Sequence, residues 1–212
     1  MKPLSRFWAE GAMLAALAAA AVSAPAVTLA QQGPTDLPPA GFGTLRQDQV
    51  AVRLTAENVA VRAIPLDERV IRLLAPDTYR SLRELAQSRA ADIAAAARAG
   101  RLDSVVTFVV TFFALQPAAR FNPDQLYISS QNAFFRPVGI VPLTPRWSEH
   151  QIDQRQQAVA IFLFEPAIAI LQPFTVTYGD RSSDAWTSVL RLLDAERTRV
   201  LARASQQPQP PR

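Results

Sequence analysis

SVVTFVVTFFAL, residues 104–115, is built almost wholly from β-branched and aromatic side chains, the residue types that suit a pleated, half-buried surface. One parity carries Val105, Thr107, Val109, Thr111 and Phe113. The other carries Val106, Phe108, Val110 and Phe112. Both faces are mostly apolar, which predicts a central strand with cover on both sides.

Downstream, Pro117 and then Asn122, Pro123 and Asp124 mark a turn region. Residues 126–129 (LYIS) predict a strand with Leu126 and Ile128 on one face and Tyr127 on the other. Gln131 and Asn132 make the next turn. Residues 134–143 predict a strand that Pro137 confines to an edge or a bulge, closed by Pro142 and Pro145. Ser148 can cap a short polar helix over 149–157, AVAIFLF (158–164) reads as a buried strand, and 174–178 as the last strand. The span 103–178 holds nine of the eleven phenylalanines.

Upstream, QVAVRLT (49–55) alternates well, and the alternation resumes at Val59, Val61 and Ala63 after an Asn-containing turn. That pattern predicts a β-hairpin ended by Pro65. Asp67 and Glu68 suit the start of a short helix bearing Val70, Ile71, Leu73 and Leu74, with Pro76 as its stop and Asp77 as the cap of the next. Over 78–99, apolar residues from Tyr79 to Ala97 recur at helical spacing, with arginines between them and Gly100 at the end. The helix is amphipathic, and packing on its own sheet is the preferred reading over a membrane or partner helix. After Gly179 and Asp180, Ser183 or Asp184 can cap a final helix to about Ala204. Its stripe is Trp186, Val189, Leu190, Leu193, Val200 and Leu201.

These elements predict an α+β fold: an antiparallel β-sandwich of about seven strands with a helical insert and a C-terminal helix. The span 104–178 resembles the immunoglobulin-like sandwich domains of bacterial exported proteins. The features that carry the resemblance are the β-rich opener, the Phe121-Asn122-Pro123 turn, the aromatic-bearing strand after it, and AIFLFEP before the closing strand. The resemblance implies a ligand- or protein-binding module. The Cys…Trp…Cys core of that class is missing here, so no functional residue is carried over from it.

The amino terminus has the layout of a secretory signal. Lys2 and Arg6 precede an uncharged stretch over 11–30, which ends Thr28-Leu29-Ala30 ahead of two glutamines. Cleavage after Ala30 is expected; the alternative is an uncleaved membrane anchor, the one route to a membrane in this reading. Residues 31–48, rich in Pro, Gly and Gln, are expected to be a flexible spacer. Residues 49–204 form the expected domain and 205–212 a disordered tail. The expected location is periplasmic or secreted.

Composition narrows the chemistry. The chain has no cysteine, which excludes disulfides, thiolate nucleophiles and Cys-ligated metals. Net charge is +4, and all basic residues but Lys2 are arginine. They are scattered, so a nucleic-acid face is not expected. The one histidine, His150, has Ser148, Glu149 and Asp153 near it in sequence, but adjacency does not make a triad; a solvated histidine is the preferred reading. Asp180 and Asp184 are too few for a calcium site. No phosphate loop, nucleophile elbow or dinucleotide fingerprint occurs, and no cofactor or metal is expected.

The surface group singled out for binding is Tyr127, Phe135, Arg136, Arg146 and Trp147, aromatics beside arginine near proline-stiffened loops. The bland alternative is that Phe135 and Trp147 are core. The functional expectation is a non-enzymatic binding module of the bacterial cell envelope, with a protein or a surface glycan as partner. A secreted hydrolase using His150 or carboxylates, and a structural or assembly subunit, are the alternatives.

Overall fold

The computed structural model describes residues 37–206. The leader, the first part of the spacer and all but the first two residues of the tail lie outside them. Ser205 and Gln206 continue the last helix.

The fold is α+β with antiparallel sheets. Strands β1 (Val52–Thr55) and β2 (Val59–Pro65) form the expected hairpin, with Leu54 opposite Val61. Three helices follow: α1 (Glu68–Ile71), α2 (Pro76–Ser88) and α3 (Ala90–Ala99). Then come β3 (Val106–Ala114), β4 (Ala119–Arg120), β5 (Leu126–Ser130), β6 (Ala133–Phe135) and β7 (Gly139–Pro142). The last elements are β8 (Gln151–Ile152), β9 (Gln157–Phe164), β10 (Thr175–Tyr178), β11 (Arg181–Ser183) and α4 (Trp186–Gln206). One sheet has the order β1-β2-β3-β9-β7, a second β11-β10-β5-β6, and β4 pairs with β8 alone.

Strand β3 lies at the centre of the five-stranded sheet, and its two parities enter two separate apolar clusters. Phe108, Val110 and Phe112 join Phe162 and Phe164 of β9 and the inward residues of the second sheet, among them Ile128, Val176 and Tyr178. Val109 joins Ile161, Leu163 and Val141, covered by Leu85 of α2 and Ile93, Ala96 and Ala97 of α3. The two-sided cover expected of residues 104–115 is therefore real, and the insert helices supply one side. The cover is tight: a Cβ built on Gly139 of β7 would come within 3.1 Å of the Ala96 Cβ.

Four local expectations fail, each for a physical reason. The single helix over 78–99 is broken at Arg89, whose ψ of 8° leaves the helical region and lets α3 turn onto β7 and β9. Pro76 opens α2 instead of stopping α1; a helix's first turn needs no N–H from it, and Asp77 sits within that turn. The polar helix expected over 149–157 is a 3-10 turn at Trp147–Glu149 followed by β8. A helix there has no apolar stripe to bury, whereas a strand buries Ile152 opposite Ala119. The strand expected over 134–143 is two strands. Proline cannot donate to a ladder, and around Pro137 the chain leaves the second sheet at β6 and enters the first at β7. Each half is an edge strand.

The packed body begins before residue 49. The Leu45 N–H donates to the Leu73 carbonyl and the Ala75 N–H to the Leu45 carbonyl; Leu45 is buried in the larger cluster. Gly43 lies against the backbone of Leu73 and Leu74, where no side chain fits. From the other side, α4 presents Glu196, fully buried among Trp186, Val189, Leu193 and Val200. Its carboxylate accepts from Thr44 and Arg203 and pairs with Arg199 at 3.6 Å. Arg203 also donates to the Phe42 carbonyl. Among the described residues no helix is long and apolar enough to cross a membrane.

Candidate functional site

The five residues singled out from the sequence do not form one surface. Phe135 is buried, its Cα paired with that of Ile128, inside the larger core. Trp147 is half-buried, edge-on to Phe121 at 5.0 Å between ring centroids. Arg146 is exposed and makes two 2.7 Å bonds to the Glu149 carboxylate. Those bonds hold the Glu149 carboxyl below its usual range and raise the Arg146 guanidinium. Arg136, exposed, donates to the Asp124 carbonyl at 3.4 Å. Tyr127 is half-buried on the outer face of the second sheet.

The residue that Tyr127 meets is one the sequence reading passed over. Phe134 is 75% exposed, with its ring 5.9 Å from Tyr127 at 64°. A signal for it existed. Gln131 and Asn132 both have positive φ, 50° and 64°, as a two-residue hairpin turn requires. That turn pairs Ser130 with Ala133 and Ile128 with Phe135. Since Ile128 points inward, Phe135 does too, and its neighbour Phe134 must point out.

Beside Phe134 lies a depression of ≈ 320 Å³. Ser129, Gln131, Asn132, Thr175 and Thr187 contribute to its lining, and so does Ser130. Ser130 is only 4% exposed, and among the described residues its Oγ has no hydrogen-bond partner. Buried hydroxyls are normally paired.

The second feature surrounds His150. This residue has φ 50° and sits between the 3-10 turn and β8, its ring 5.5 Å from that of Phe121. Phe121 in turn stacks on Phe112 at 4.7 Å. The groove there, ≈ 500 Å³, is bordered by Arg120, Asn122, Glu149, His150 and Tyr178. Burial raises the Tyr178 hydroxyl's pKa, against the pull of the Asn122 N–H that donates to it at 3.0 Å. Among the described residues no carboxylate bonds to His150, and Glu149 is engaged by Arg146. The imidazole is exposed to solvent, and nothing among the described residues fixes its orientation toward a nucleophile.

Asp180 lies 3.6 Å from Arg181. Among the described residues no group of three or more His, Cys, Asp or Glu is placed to hold a metal ion.

The chain is thus a cysteine-free α+β protein whose described residues form two larger antiparallel sheets and a two-stranded pair, with an exposed aromatic on an edge strand. Comparison with known protein families, with curated proteins and with solved structures finds no match for it.

Proposed function

We propose that this protein is an exported, non-enzymatic binding module of the bacterial cell envelope, and that it engages its partner through the outer face of the second sheet around Phe134. The observation that carries the reading is the exposure of Phe134, 75%, on the edge strand β6 next to Tyr127. Singly exposed apolar side chains are common on protein surfaces; Phe134 differs in standing ring to ring with Tyr127 on the outer face of an edge strand. An aromatic anchor is also what binding surfaces use most.

The body is read further as an immunoglobulin-like sandwich. What supports this is strand order. The run β2-β3-β9-β7 follows the A-B-E-D order of that class, and β11-β10-β5-β6 follows G-F-C with an added C′ strand. On this reading β1 is an extra edge strand, and α1 to α3 are inserted between the first two strands.

The test is a photo-crosslinking amino acid placed at Phe134 in intact cells, with the same group at exposed Arg191 of α4 as control. The reading expects adducts to an envelope component from position 134 and none from 191. Equal yields from both positions, or none from either, count against it.

The groove at His150 keeps a hydrolase as the second reading, because His150 and Arg146 both hold positive φ on either side of the 3-10 turn, and such backbone gathers at active sites. Loss of a measurable turnover in His150→Ala, with folding intact, would favour it.

A further inference from the structure

We infer that the groove at His150 binds a carboxylate group. The inference goes beyond the reading at Phe134, since the groove shares no lining residue with the depression there.

The backbone brings the groove's donors to one place. Burial alternates along residues 119–122, as it does in an extended chain: Ala119 and Phe121 are buried, while Arg120 and Asn122 are exposed on the other side. The two N–H groups that follow Arg120 each fix one wall. The Phe121 N–H donates to the His150 carbonyl at 3.0 Å, and the Asn122 N–H donates to the Tyr178 hydroxyl at 3.0 Å. Arg120, Asn122, His150 and Tyr178 accordingly border a single groove of ≈ 500 Å³, together with Gln125 and Glu149.

What these groups have left to offer is mostly donors. Among the described residues Arg120 makes no ion pair and no side-chain hydrogen bond. The Asn122 side-chain oxygen already accepts from the Asp124 N–H at 3.0 Å, which leaves its NH₂ group to donate. The Tyr178 ring packs on Phe112, but its hydroxyl ends at the backbone of Asn122, an exposed residue. The hydroxyl oxygen accepts there, and its proton has no acceptor among the described residues. Burial raises its pKa, so the O–H remains a donor near neutral pH. The one carboxylate of the lining, Glu149, is met by Arg146 through two 2.7 Å bonds.

Charge decides which anion fits. Arg120 is the one unpaired guanidinium in the lining. A carboxylate brings one negative charge and two oxygens that match the guanidinium fork. A phosphate dianion brings a second charge, and the lining holds no second unpaired guanidinium or ammonium to answer it. Two sources present a carboxylate of this kind: a free organic acid and the C-terminus of a peptide.

The test is a ¹H–¹⁵N titration of the purified protein, at constant ionic strength, with acetate, benzoate and trialanine. Trialanine amide and phosphate serve as comparisons. At least one of the three carboxylates is expected to give saturable shifts in the amides of Arg120, Asn122 and His150. Tighter binding of acetate or benzoate assigns a free acid; tighter binding of trialanine assigns a peptide terminus. Arg120→Gln should weaken binding about tenfold and leave the melting temperature unchanged, because Arg120 is exposed and unpaired. Arg120→Lys should recover part of the loss, since it restores the charge without the fork.

Failure of all three carboxylates, an equal response to trialanine amide, a preference for phosphate, or unchanged binding in Arg120→Gln overturns the inference. None of these results bears on crosslinking at position 134, so the two readings fail separately.

Discussion

Glu196 and Thr44 are joined by two hydrogen bonds, from the Thr44 N–H at 2.9 Å and from its hydroxyl at 2.8 Å, across 152 residues of chain. The carboxylate is fully buried and also accepts from Arg203. Through this pair the C-terminal helix holds the segment that precedes β1. Glu196→Ala would leave the Thr44 donors and part of the Arg203 charge unanswered. It is expected to destabilise the protein by about 3 kcal/mol, read from urea denaturation followed by circular dichroism.

The same carboxylate should confer a dependence on acid. Burial pushes its pKa up, but the hydrogen bonds from Arg203 and Thr44 pull further the other way, so the native value lies below that of an ordinary glutamate. A carboxyl depressed on folding contributes stability above its unfolded value, about 4.3. That stability is lost as pH falls through the native value. The denaturation midpoint of the wild type should therefore drop on acidification from about pH 5 to about pH 3. Glu196→Gln should show a shallower drop; an identical slope would mean that this group does not control the transition.

Gly43→Ala tests the packing of the same segment. A Cβ there would overlap the Leu73 carbonyl group and the Leu74 oxygen, all backbone, which cannot rotate away. Overpacking of this kind costs about 1–3 kcal/mol. Limited proteolysis should show faster cleavage between residues 37 and 46 in the variant than in the wild type, with a lowered melting temperature.

Adjacent phenylalanines of β6 should behave oppositely. Phe135→Ala removes a ring from the core and is expected to cost about 3–5 kcal/mol. Phe134→Ala removes an exposed ring and should change stability by no more than about 0.5 kcal/mol. Equal losses by thermal denaturation would refute the register that places one inside and the other out.

Trp186 is fully buried, stacks on Phe174 at 4.8 Å between centroids, and donates from Nε1 to the Ile170 carbonyl at 2.8 Å. Trp186→Phe keeps an aromatic ring but removes that donor and some volume. A loss of about 1–3 kcal/mol is expected, measured by chemical denaturation.

Much of the fold was legible as pattern. The two apolar parities of residues 104–115 implied a strand covered twice, and the burial of both parities follows from that alone. The hairpin of β1 and β2 was marked by alternation around an Asn-bearing turn. At the candidate site, Tyr127 was legible and Phe134 was not recognised, although a two-residue turn and the inward Ile128 together imply its direction. The helix expected over 149–157 misread a polar run. Strand β8 needs only Ile152 and a partner, and its partner β4 lies about thirty residues upstream.

Side-chain periodicity, turn chemistry and the absence of thiols act locally, so the residue order alone pointed to the strands β1, β2, β3, β5, β9 and β10, to the amphipathic character of the helices and to the exclusion of cysteine chemistry. Which sheet β6 and β7 join, how Glu196 comes to be buried against Thr44, and how β4 finds β8 were settled only by the folded chain. Each of these depends on groups distant in sequence coming within hydrogen-bonding or van der Waals reach. Such proximity is set by how the layers pack together, and no local pattern encodes it.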